Sequence, residues 1–271
     1  MQILNTVIGK MSGVVDALLS PKGRGASETD DHIQHIASLT PTLNRAVLVE
    51  EFNRILISRI SLPGFKRGIE VFIEKDDLLP FEEAKLYGHN AIHALIGYLA
   101  DLRGLATIAE AGRDAELMRI ARSAFINESG AALCRRHAGL NDPLFTSDGY
   151  RDYAEDLLTR MIRPNLNDLV ARVIRDHVRK LGYDDRFYGT MRVALEQGIQ
   201  PTNLATGAAA AILSLIRRQP QSRNHLPIPT SPAELTAASL SQLLQAIWSG
   251  RLDAHADKLI SLTWQGFECL V

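Results

Sequence analysis

The chain has 271 residues, of which 46% are hydrophobic, 23% are charged and 6% are aromatic, and its formal net charge is −1. This composition is typical of a globular protein and gives no sign of the basic, aromatic-rich surface that binds nucleic acid. Two cysteines imply no disulfide framework and the first residues do not form a secretory signal, so we expect a cytoplasmic protein that binds neither nucleic acid nor membrane.

The patterning along the chain is mainly helical, with a small β region near the start. Residues 20–27 are rich in glycine, proline and serine and are predicted to form a loop. Valine, isoleucine and phenylalanine recur close to alternately within residues 46–60 and 68–73, which predicts strands that form a small hairpin. Apolar periodicity then predicts helices over residues 81–104, 113–138, 150–161, 167–181, 187–198 and 203–218.

A proline-rich stretch at residues 219–232 breaks the helical pattern and is interpreted as a linker. After it, residues 232–247 and 252–269 are predicted to form helices that close over the core. The longest apolar run, residues 205–216, is too short to span a bilayer and is interpreted as a core helix. The chain is therefore predicted to be a single, mainly α-helical domain over residues 1–271, with a small β hairpin.

Residues 85–93, with the sequence Lys-Leu-Tyr-Gly-His-Asn-Ala-Ile-His, place four polar side chains on an otherwise apolar helix. At 3.6 residues per turn, Lys85, His89 and His93 follow one side of the helix, and Asn90 lies about 140° from Lys85. A buried ammonium must reach solvent, pair with one of the acidic residues just before it, or have a lowered pKa that makes it a base. A purely structural role, with the lysine in water and the histidines bonded to backbone, is the alternative that residue types alone leave open.

Lys85, Asn90 and His93, preceded by Phe-Glu-Glu-Ala at residues 81–84, resemble the site helix of the long-chain polyol dehydrogenases. Further matches in the same order are residues 5–11, 49–53, 94–98, 128–130, 168–176, 180–181 and 185–186. The short Glu-Glu-Phe and Glu-Ser-Gly strings are closer to the phosphate-handling, mannitol-1-phosphate dehydrogenase branch. Mannitol 2-dehydrogenases tend to carry an acidic residue where Ser-Arg stands at residues 58–59, which also favours a phosphorylated substrate.

The resemblance implies oxidation of a secondary alcohol of a polyol or polyol phosphate, with hydride transfer to NAD. Lys85 would be the general base that takes the hydroxyl proton. Asn90 and Asn5 would donate amide N–H groups to the developing alkoxide. His93 would bond to the substrate hydroxyl or orient the lysine, whereas His89 is assigned no role.

No Gly-x-Gly-x-x-Gly motif follows a strand in this sequence, so the fingerprint of a dinucleotide-binding domain is missing. The family that the chain resembles has a Rossmann domain followed by a helical catalytic domain. The chain is therefore interpreted as the catalytic half alone, and we expect it to be inactive without a nucleotide-binding domain. Residues 1–15 would be the remnant of the junction. We expect exposed apolar surface near residues 5–11 and the site helix, to be covered by a Rossmann-domain chain or by self-association.

A basic cluster in the second half of the chain is the candidate site for a substrate phosphate or the cofactor, because arginine matches phosphate geometry. Its members are Arg172, Arg175, Arg179, Lys180 and Arg186. We predict that Arg175 and Lys180 bind substrate. The alternative is a solvated helix face on which Asp168 pairs with Arg172 and Asp176 pairs with Lys180.

Two other functions stay open. His89 and His93 have the i, i+4 spacing of a zinc pair, but no third ligand is suggested and Asn90 replaces the glutamate of a His-Glu-x-x-His protease, so we expect no metal. The chain could instead be a helical interaction or regulatory module derived from the enzyme, because hydride transfer needs a hydride acceptor.

Overall fold

The structure is a computed structural model that describes residues 2–10, 12–16, 38, 40, 42, 45–50, 54–65, 67–218 and 226–270. The predicted loop at residues 20–27 lies outside this part of the chain, as do Met11, Asn53 and residues 219–225 of the predicted linker. Within the described residues the fold is mainly α-helical, as predicted, and two small sheets accompany the helices.

Two long helices each contain an internal segment of π-helix. The first consists of α1 (Leu79–Glu83), π1 (Ala84–Asn90) and α2 (Ala91–Leu102). After the short helix α3 (Ile108–Ala111), the second consists of α4 (Ala115–Ser123), π2 (Ala124–Gly130) and α5 (Ala131–Arg136). The later helices are α6 (Ser147–Met161), α7 (Val170–Val173), α8 (His177–Lys180), α9 (Tyr188–Glu196), α10 (Thr202–Arg218), α11 (Ala237–Ile247) and α12 (Ala256–Glu268).

Side-chain caps explain where several helices begin. Thr107 and Glu110 form a capping box at the start of α3, in which each side chain bonds to the backbone N–H of the other residue. Asp114, Thr146 and Thr236 cap α4, α6 and α11 by accepting a hydrogen bond from the N–H group three residues on. These residues fix the helix boundaries locally, before any tertiary contact is made.

The strands are β1 (Thr6–Val7), β2 (Ser12–Asp16), β3 (Arg45–Val49), β4 (Ile55–Ser58) and β5 (Phe72–Lys75). β2 and β3 form an antiparallel pair, and the other three form a sheet in the order β1-β4-β5. β1 is antiparallel to β4, whereas β4 is parallel to β5, with Ile55 opposite Phe72. The predicted hairpin between the two strand regions is therefore wrong, because parallel neighbours need a crossover connection and not a tight turn.

The helix predicted over residues 167–181 is also wrong, because the structure breaks it into two single turns. α7 ends at Val173, and Asp176 adopts a left-handed φ of 60° immediately before α8. A non-glycine residue at this φ cannot continue a right-handed helix. Arg172 and Lys180 consequently lie on two separate elements and not on one helix face.

The centre of the core lies between α2, α10 and α12. Ile92, Leu95 and Ile96 of α2 are completely buried, and α10 is buried along most of its length, which confirms the core helix predicted at residues 205–216. α12 approaches α10 closely at Gly266, where a Cβ atom would lie 2.7 Å from the carbonyl oxygen of Ala205. No helix in the described ranges has the length and apolarity needed to cross a membrane.

Glu128 on π2 caps the start of α10 from the side. Its buried carboxylate accepts hydrogen bonds from the backbone N–H groups of Asn203 and Leu204 at 2.7 and 2.9 Å, and from the side chains of Asn203 and Thr202. Burial raises the pKa of Glu128, and these hydrogen bonds oppose that shift. The match at residues 128–130 therefore includes a structural contact between two helices.

We expect Glu128→Gln to lower the free energy of unfolding by about 1–3 kcal/mol, because one side-chain oxygen becomes an NH₂ group that cannot accept a hydrogen bond. Urea unfolding followed by circular dichroism measures the change. Glu110→Gln, at an exposed cap, is the control and should change stability by less than about 1 kcal/mol, since water replaces any lost bond. Equal losses in both variants would contradict the interpretation.

Arg160 on α6 connects the sheets to the helices. Its side chain is largely buried and donates to both carboxylate oxygens of Glu50, at 2.8 and 2.6 Å, and to the carbonyl oxygen of Gly9 at 2.6 Å. It also pairs with Asp156 at 2.9 Å. Because Gly9 follows β1 and Glu50 follows β3, one guanidinium holds the ends of these two strands against α6.

Candidate functional site

Lys85 lies on π1, half-buried, and lines a cavity of about 580 Å³ that we call the sheet-side cavity. The other charged residues that line it are Lys10, Arg54, Lys75, Asp142, Asp156 and Arg160. The predicted pairing with a preceding acidic residue is wrong for Glu83, which contacts His137 at 2.6 Å. Within the described residues, no carboxylate lies at ion-pair distance from Lys85. Lys85 is therefore a polar group facing a cavity.

The π-helical geometry changes how Lys85 and Asn90 are related. At the end of π1 the N–H of Ala91 bonds to the carbonyl of Leu86, five residues earlier, as well as to that of Gly88. Residues five apart are thus about one turn apart in this segment. The 140° separation calculated for Lys85 and Asn90 on an α-helix therefore does not apply to this segment, in which Lys85 and Asn90 line different cavities.

π1 and π2 cross at two glycines that lie against Tyr150. A Cβ atom on Gly88 would lie 2.5 Å from the hydroxyl oxygen of Tyr150 and 2.9 Å from the ring of Phe125. A Cβ atom on Gly130 would lie 2.6 Å from the Tyr150 ring. Only glycine permits this close approach, which positions the segment that carries Lys85.

The wide turn also changes the partners of a backbone carbonyl. The carbonyl oxygen of Tyr87 accepts a hydrogen bond from the hydroxyl of Ser129 on π2 at 2.9 Å. It also lies 3.3 Å from the hydroxyl of Thr190 on α9, whose single proton is shared with the carbonyl oxygen of Arg186. Both hydroxyl groups are buried. Two neighbouring elements therefore stabilise π1, and the sequence pattern gave no sign of either contact.

His89 is buried on the site helix, between Lys85 and His93 in the sequence. Its ring centroid lies 6.3 Å from that of His93, and no hydrogen-bond partner for its Nδ1 atom occurs among the described residues. Burial, and then the neighbouring charges of His93 and Arg160, lower the pKa of His89 to about 3. His89 is consequently a neutral ring at ordinary pH.

His93 contacts a buried carboxylate. Its Nε2 atom lies 2.8 Å from Oδ2 of Asp168, although the ring is turned so that this ion-pair contact is not a regular hydrogen bond. Oδ1 of Asp168 accepts from Arg172 at 2.6 Å, as predicted. Burial acts to raise the pKa of Asp168, but the contacts with His93 and Arg172 outweigh it and hold that pKa below its usual range. Asp168 thus fixes the ring of His93.

Asn90 and His93 line a second cavity, of about 200 Å³, that we call the basic cavity. Its wall also contains the whole predicted basic cluster, namely Arg172, Arg175, Arg179, Lys180 and Arg186. The acidic residue in this wall is Asp176, which pairs with Arg179 at 3.4 Å. The predicted pairing of Asp176 with Lys180 is wrong. Positive charge therefore dominates the cavity.

Lys180 is the most buried cation of this cluster, with 6% of its surface exposed. Burial, followed by the charges of Arg186 and Arg179, lowers the pKa of Lys180 to about 8. In the part of the chain that the structure describes, no carboxylate lies within ion-pair distance of it. A bound anion would relieve this crowding of like charges.

Asn5 lies apart from these groups. Its side chain is exposed, its backbone N–H donates to the hydroxyl of Ser58 at 3.2 Å, and it lines neither cavity. Its predicted role therefore rests on the resemblance alone. The described residues contain no group of three or more His, Cys, Asp or Glu side chains placed to hold a metal ion.

The site combines predicted residues from distant parts of the chain. Lys85 lines the sheet-side cavity, whereas Asn90 and His93 share the basic cavity with Arg175 and Lys180. The sequence did not predict the contact between Asp168 and His93, because the pairing of Asp168 with Arg172 already accounted for that carboxylate. Lys85 is the group that can accept a proton in the sheet-side cavity, and the residues of the basic cavity can donate hydrogen bonds to an oxygen and bind an anion.

Comparison with known proteins gives a consistent result. A family model described as "Mannitol dehydrogenase C-terminal domain" matches residues 77–241, more than half of the chain. The match includes the site helix and the whole basic cluster.

Two solved structures share the fold. Mannitol 2-dehydrogenase from Pseudomonas fluorescens, in a ternary complex with NAD and D-mannitol, is 20% identical with a TM-score of 0.61, over 83% of this chain and 45% of that chain. D-sorbitol dehydrogenase in its substrate-free form is 17% identical with a TM-score of 0.66, over 98% of this chain and 52% of that chain. The chain thus spans about half the length of the solved structures that it matches.

Proposed function

The chain belongs to the family defined by the mannitol dehydrogenase C-terminal domain, and on this premise we propose that it binds and oxidises a polyol, in particular a hexitol phosphate. The observation that carries the proposal is that Asn90 and His93 share one cavity wall with Arg175 and Lys180. A hydrogen-bonding helix and an anion-binding cluster lie side by side there. This arrangement suits a substrate with hydroxyl groups at one end and a phosphate at the other.

In the proposed reaction Lys85 acts as the general base. Its Nζ atom would accept the proton of the substrate hydroxyl as hydride leaves the carbon for NAD, and a ketose forms. The amide N–H of Asn90 donates to the oxygen on which negative charge develops. Because Nε2 of His93 contacts Asp168, its Nδ1 atom is the one left to bond to a substrate hydroxyl. Asn5 is kept as the second amide from the resemblance alone.

The basic cavity supports the choice of a phosphorylated substrate. A cavity of about 200 Å³ accommodates a small group, and its wall carries five cationic side chains. Arg172, Arg179 and Arg186 pair with carboxylates in or beside the wall, whereas Arg175 and Lys180 form no ion pair within the described residues. A phosphate monoester carries up to two negative charges near neutral pH and accepts hydrogen bonds from arginine in pairs. Arg175, whose Nε atom bonds to the backbone carbonyl of Arg172, and Lys180 would bind it directly.

NAD is the proposed hydride acceptor, since it is bound in the mannitol 2-dehydrogenase complex. The described residues of this chain do not fit NAD, because none of their strands is followed by the glycine-rich turn that holds a pyrophosphate. We propose that a nucleotide-binding domain, on this or another chain, supplies the cofactor. If the chain works without such a domain, it is a polyol-binding module and not an enzyme.

The sheets offer a surface for this domain. Large apolar side chains are exposed at Ile3, Leu62, Phe65 and Ile69, with Ile3 at 81% exposed. These four lie in segments that flank the strands, and other exposed apolar side chains, such as Leu140, Leu169 and Leu252, are scattered along the rest of the chain. Exposed apolar surface of this kind is typical of a site that contacts another domain or a second copy of the chain.

Lys180→Met tests the anion site. We expect it to weaken hexitol phosphate binding about ten- to a hundredfold and to leave binding of the neutral hexitol unchanged, because one charge-assisted hydrogen bond is lost. In the unaltered chain, affinity should fall as the pH rises above about 8, where Lys180 loses its proton, and this fall should be absent in the variant. Calorimetric titration measures both effects.

Lys258→Met is the matched control, because it removes the same charge from an exposed position on α12. It should leave hexitol phosphate binding unchanged. If Lys180→Met also binds hexitol phosphate as tightly as the unaltered chain, then the basic cavity is not the phosphate site.

A further inference from the structure

Helix α8 carries two cations of the basic cavity, Arg179 and Lys180, but it is only one turn long. A single turn in isolation is unstable in water, because nucleation of a helix is unfavourable. No side chain caps its start, where Asp176 has a left-handed φ. Tertiary contacts must therefore hold the two cations in place.

A buried chain of hydrogen bonds begins at the first residue of α8. Nε2 of His177 lies 3.0 Å from the hydroxyl oxygen of Ser214 on α10, and that hydroxyl donates to Oδ2 of Asp101 on α2 at 2.6 Å. Ser214 is completely buried. Arg218 pairs with the other oxygen of Asp101. The chain of hydrogen bonds thus connects α8 to the two central helices of the core.

The directions of these hydrogen bonds follow from the charge states. Burial acts to raise the pKa of Asp101, but its bonds with Arg218 and Ser214 outweigh this and lower it, so the carboxylate accepts the serine proton. Burial, and then the charge of Lys180, lowers the pKa of His177 to about 4, so the ring is neutral at ordinary pH. His177 must therefore donate its Nε2 proton to Ser214.

The order of the three groups excludes the arrangement of a serine hydrolase. In such a triad the histidine lies between the serine and the carboxylate and takes the serine proton. Here Ser214 lies between His177 and Asp101, and its proton already points to the carboxylate. The cluster is therefore suited to holding His177 in place and not to activating a nucleophile.

The hydrogen bond between His177 and Ser214 also affects the basic cavity, because Arg179 and Lys180 lie on the same helical turn as His177. Arg186 and Arg179 disfavour the charge on Lys180, and the burial of Lys180 adds to the cost. A neutral, buried hydrogen bond at His177 holds the first residue of α8 in place without adding another positive charge to the cavity.

We propose that Ser214 and His177 are positioning residues for anion binding, because their hydrogen bond holds α8 and its two cations at the wall of the basic cavity. This inference rests on the proposed function of that cavity as an anion site. It predicts that breaking the hydrogen bond weakens the binding of an anion but not the binding of a neutral polyol at Asn90 and His93.

The test titrates the full chain and its variants with inorganic phosphate and, separately, with mannitol as the neutral polyol. We expect Ser214→Ala and His177→Leu to weaken phosphate binding about tenfold, since preorganisation of the two cations is lost. His177→Gln retains a donor near the Nε2 position and should restore most of the affinity. Mannitol binding should be the same in all three variants.

Thr263→Val controls for a general loss of stability. Thr263 is a buried residue on α12 whose hydroxyl also makes two hydrogen bonds, to Leu259 and Tyr188, and it lies in neither cavity. The Thr263→Val variant should bind phosphate as tightly as the unaltered chain, even if thermal unfolding shows that it is destabilised as much as Ser214→Ala.

The outcomes separate the two proposals. If the unaltered chain does not bind phosphate, the proposed anion site fails and the positioning role fails with it. If it binds phosphate and Ser214→Ala binds it equally well, the positioning role alone is overturned. A parallel loss of phosphate and mannitol binding, or a loss in Thr263→Val of the same size, also overturns the positioning role, because the effect would then be one of general stability.

Discussion

Lys85→Met is expected to lower the rate of polyol oxidation by about a hundred- to ten-thousandfold, which is the contribution of a positioned general base. The substitution keeps the length of the side chain but removes the atom that accepts the hydroxyl proton. Substrate affinity should change little, because the lysine acts mainly as the bond breaks. The rate is measured as NADH formation in the presence of the proposed nucleotide-binding domain.

Lys10→Met is the matched control, since Lys10 lines the same sheet-side cavity without lying on the site helix. It should retain most of the rate. Small primary amines added to Lys85→Ala should restore part of the lost rate, because they supply the missing base. An unchanged rate in Lys85→Met would remove Lys85 from the mechanism, and equal losses in both methionine variants would assign the effect to the charge of the cavity.

Arg160→Ala is expected to lower the free energy of unfolding by about 3 kcal/mol, the lower end of the range for breaking a buried ion pair. The lower end applies because Arg160 lines the sheet-side cavity, so water can take the place of the lost guanidinium. The substitution removes the guanidinium that bonds to Glu50 and to the carbonyl of Gly9. Urea unfolding measures the change.

The matched comparison for this prediction is Arg122→Ala. Arg122 also forms two hydrogen bonds to a glutamate, Glu155, but both side chains are well exposed, at 50% and 40%. Such a surface pair contributes at most about 1 kcal/mol. If the two alanine variants are equally stable, then Arg160 does not hold the ends of β1 and β3 to α6.

The position of the site helix was predictable, but its shape was not. The spacing of Lys85, Asn90 and His93 identified the helix, and the basic cluster was visible as a run of charges. The π-helical turn was not predictable, because it depends on the crossing with π2 at Gly88 and on tertiary hydrogen bonds to the carbonyl of Tyr87. Angles calculated for an α-helix were therefore wrong for Asn90.

The errors in the fold have similar causes. Residues 167–181 have helical periodicity, but Asp176 adopts a left-handed conformation that residue preferences do not specify. The stretch predicted at residues 46–60 overlaps two strands, β3 and β4, and the one predicted at residues 68–73 overlaps β5 only at residues 72–73. The parallel pairing of β4 with β5 depends on the path of the connecting chain. The cluster of His177, Ser214 and Asp101 joins three helices and leaves no local pattern in the sequence.

We propose that the site helix and the basic cavity form one substrate site. This is tested by calorimetric titration with mannitol 1-phosphate, with NADH present and absent, of the unaltered chain beside Asn90→Ala and Lys180→Met. We expect the unaltered chain to bind mannitol 1-phosphate, and we expect each substitution, one on the helix and one on the cluster, to weaken that binding about tenfold or more. Absence of binding under every condition, or binding that neither substitution changes, would contradict it.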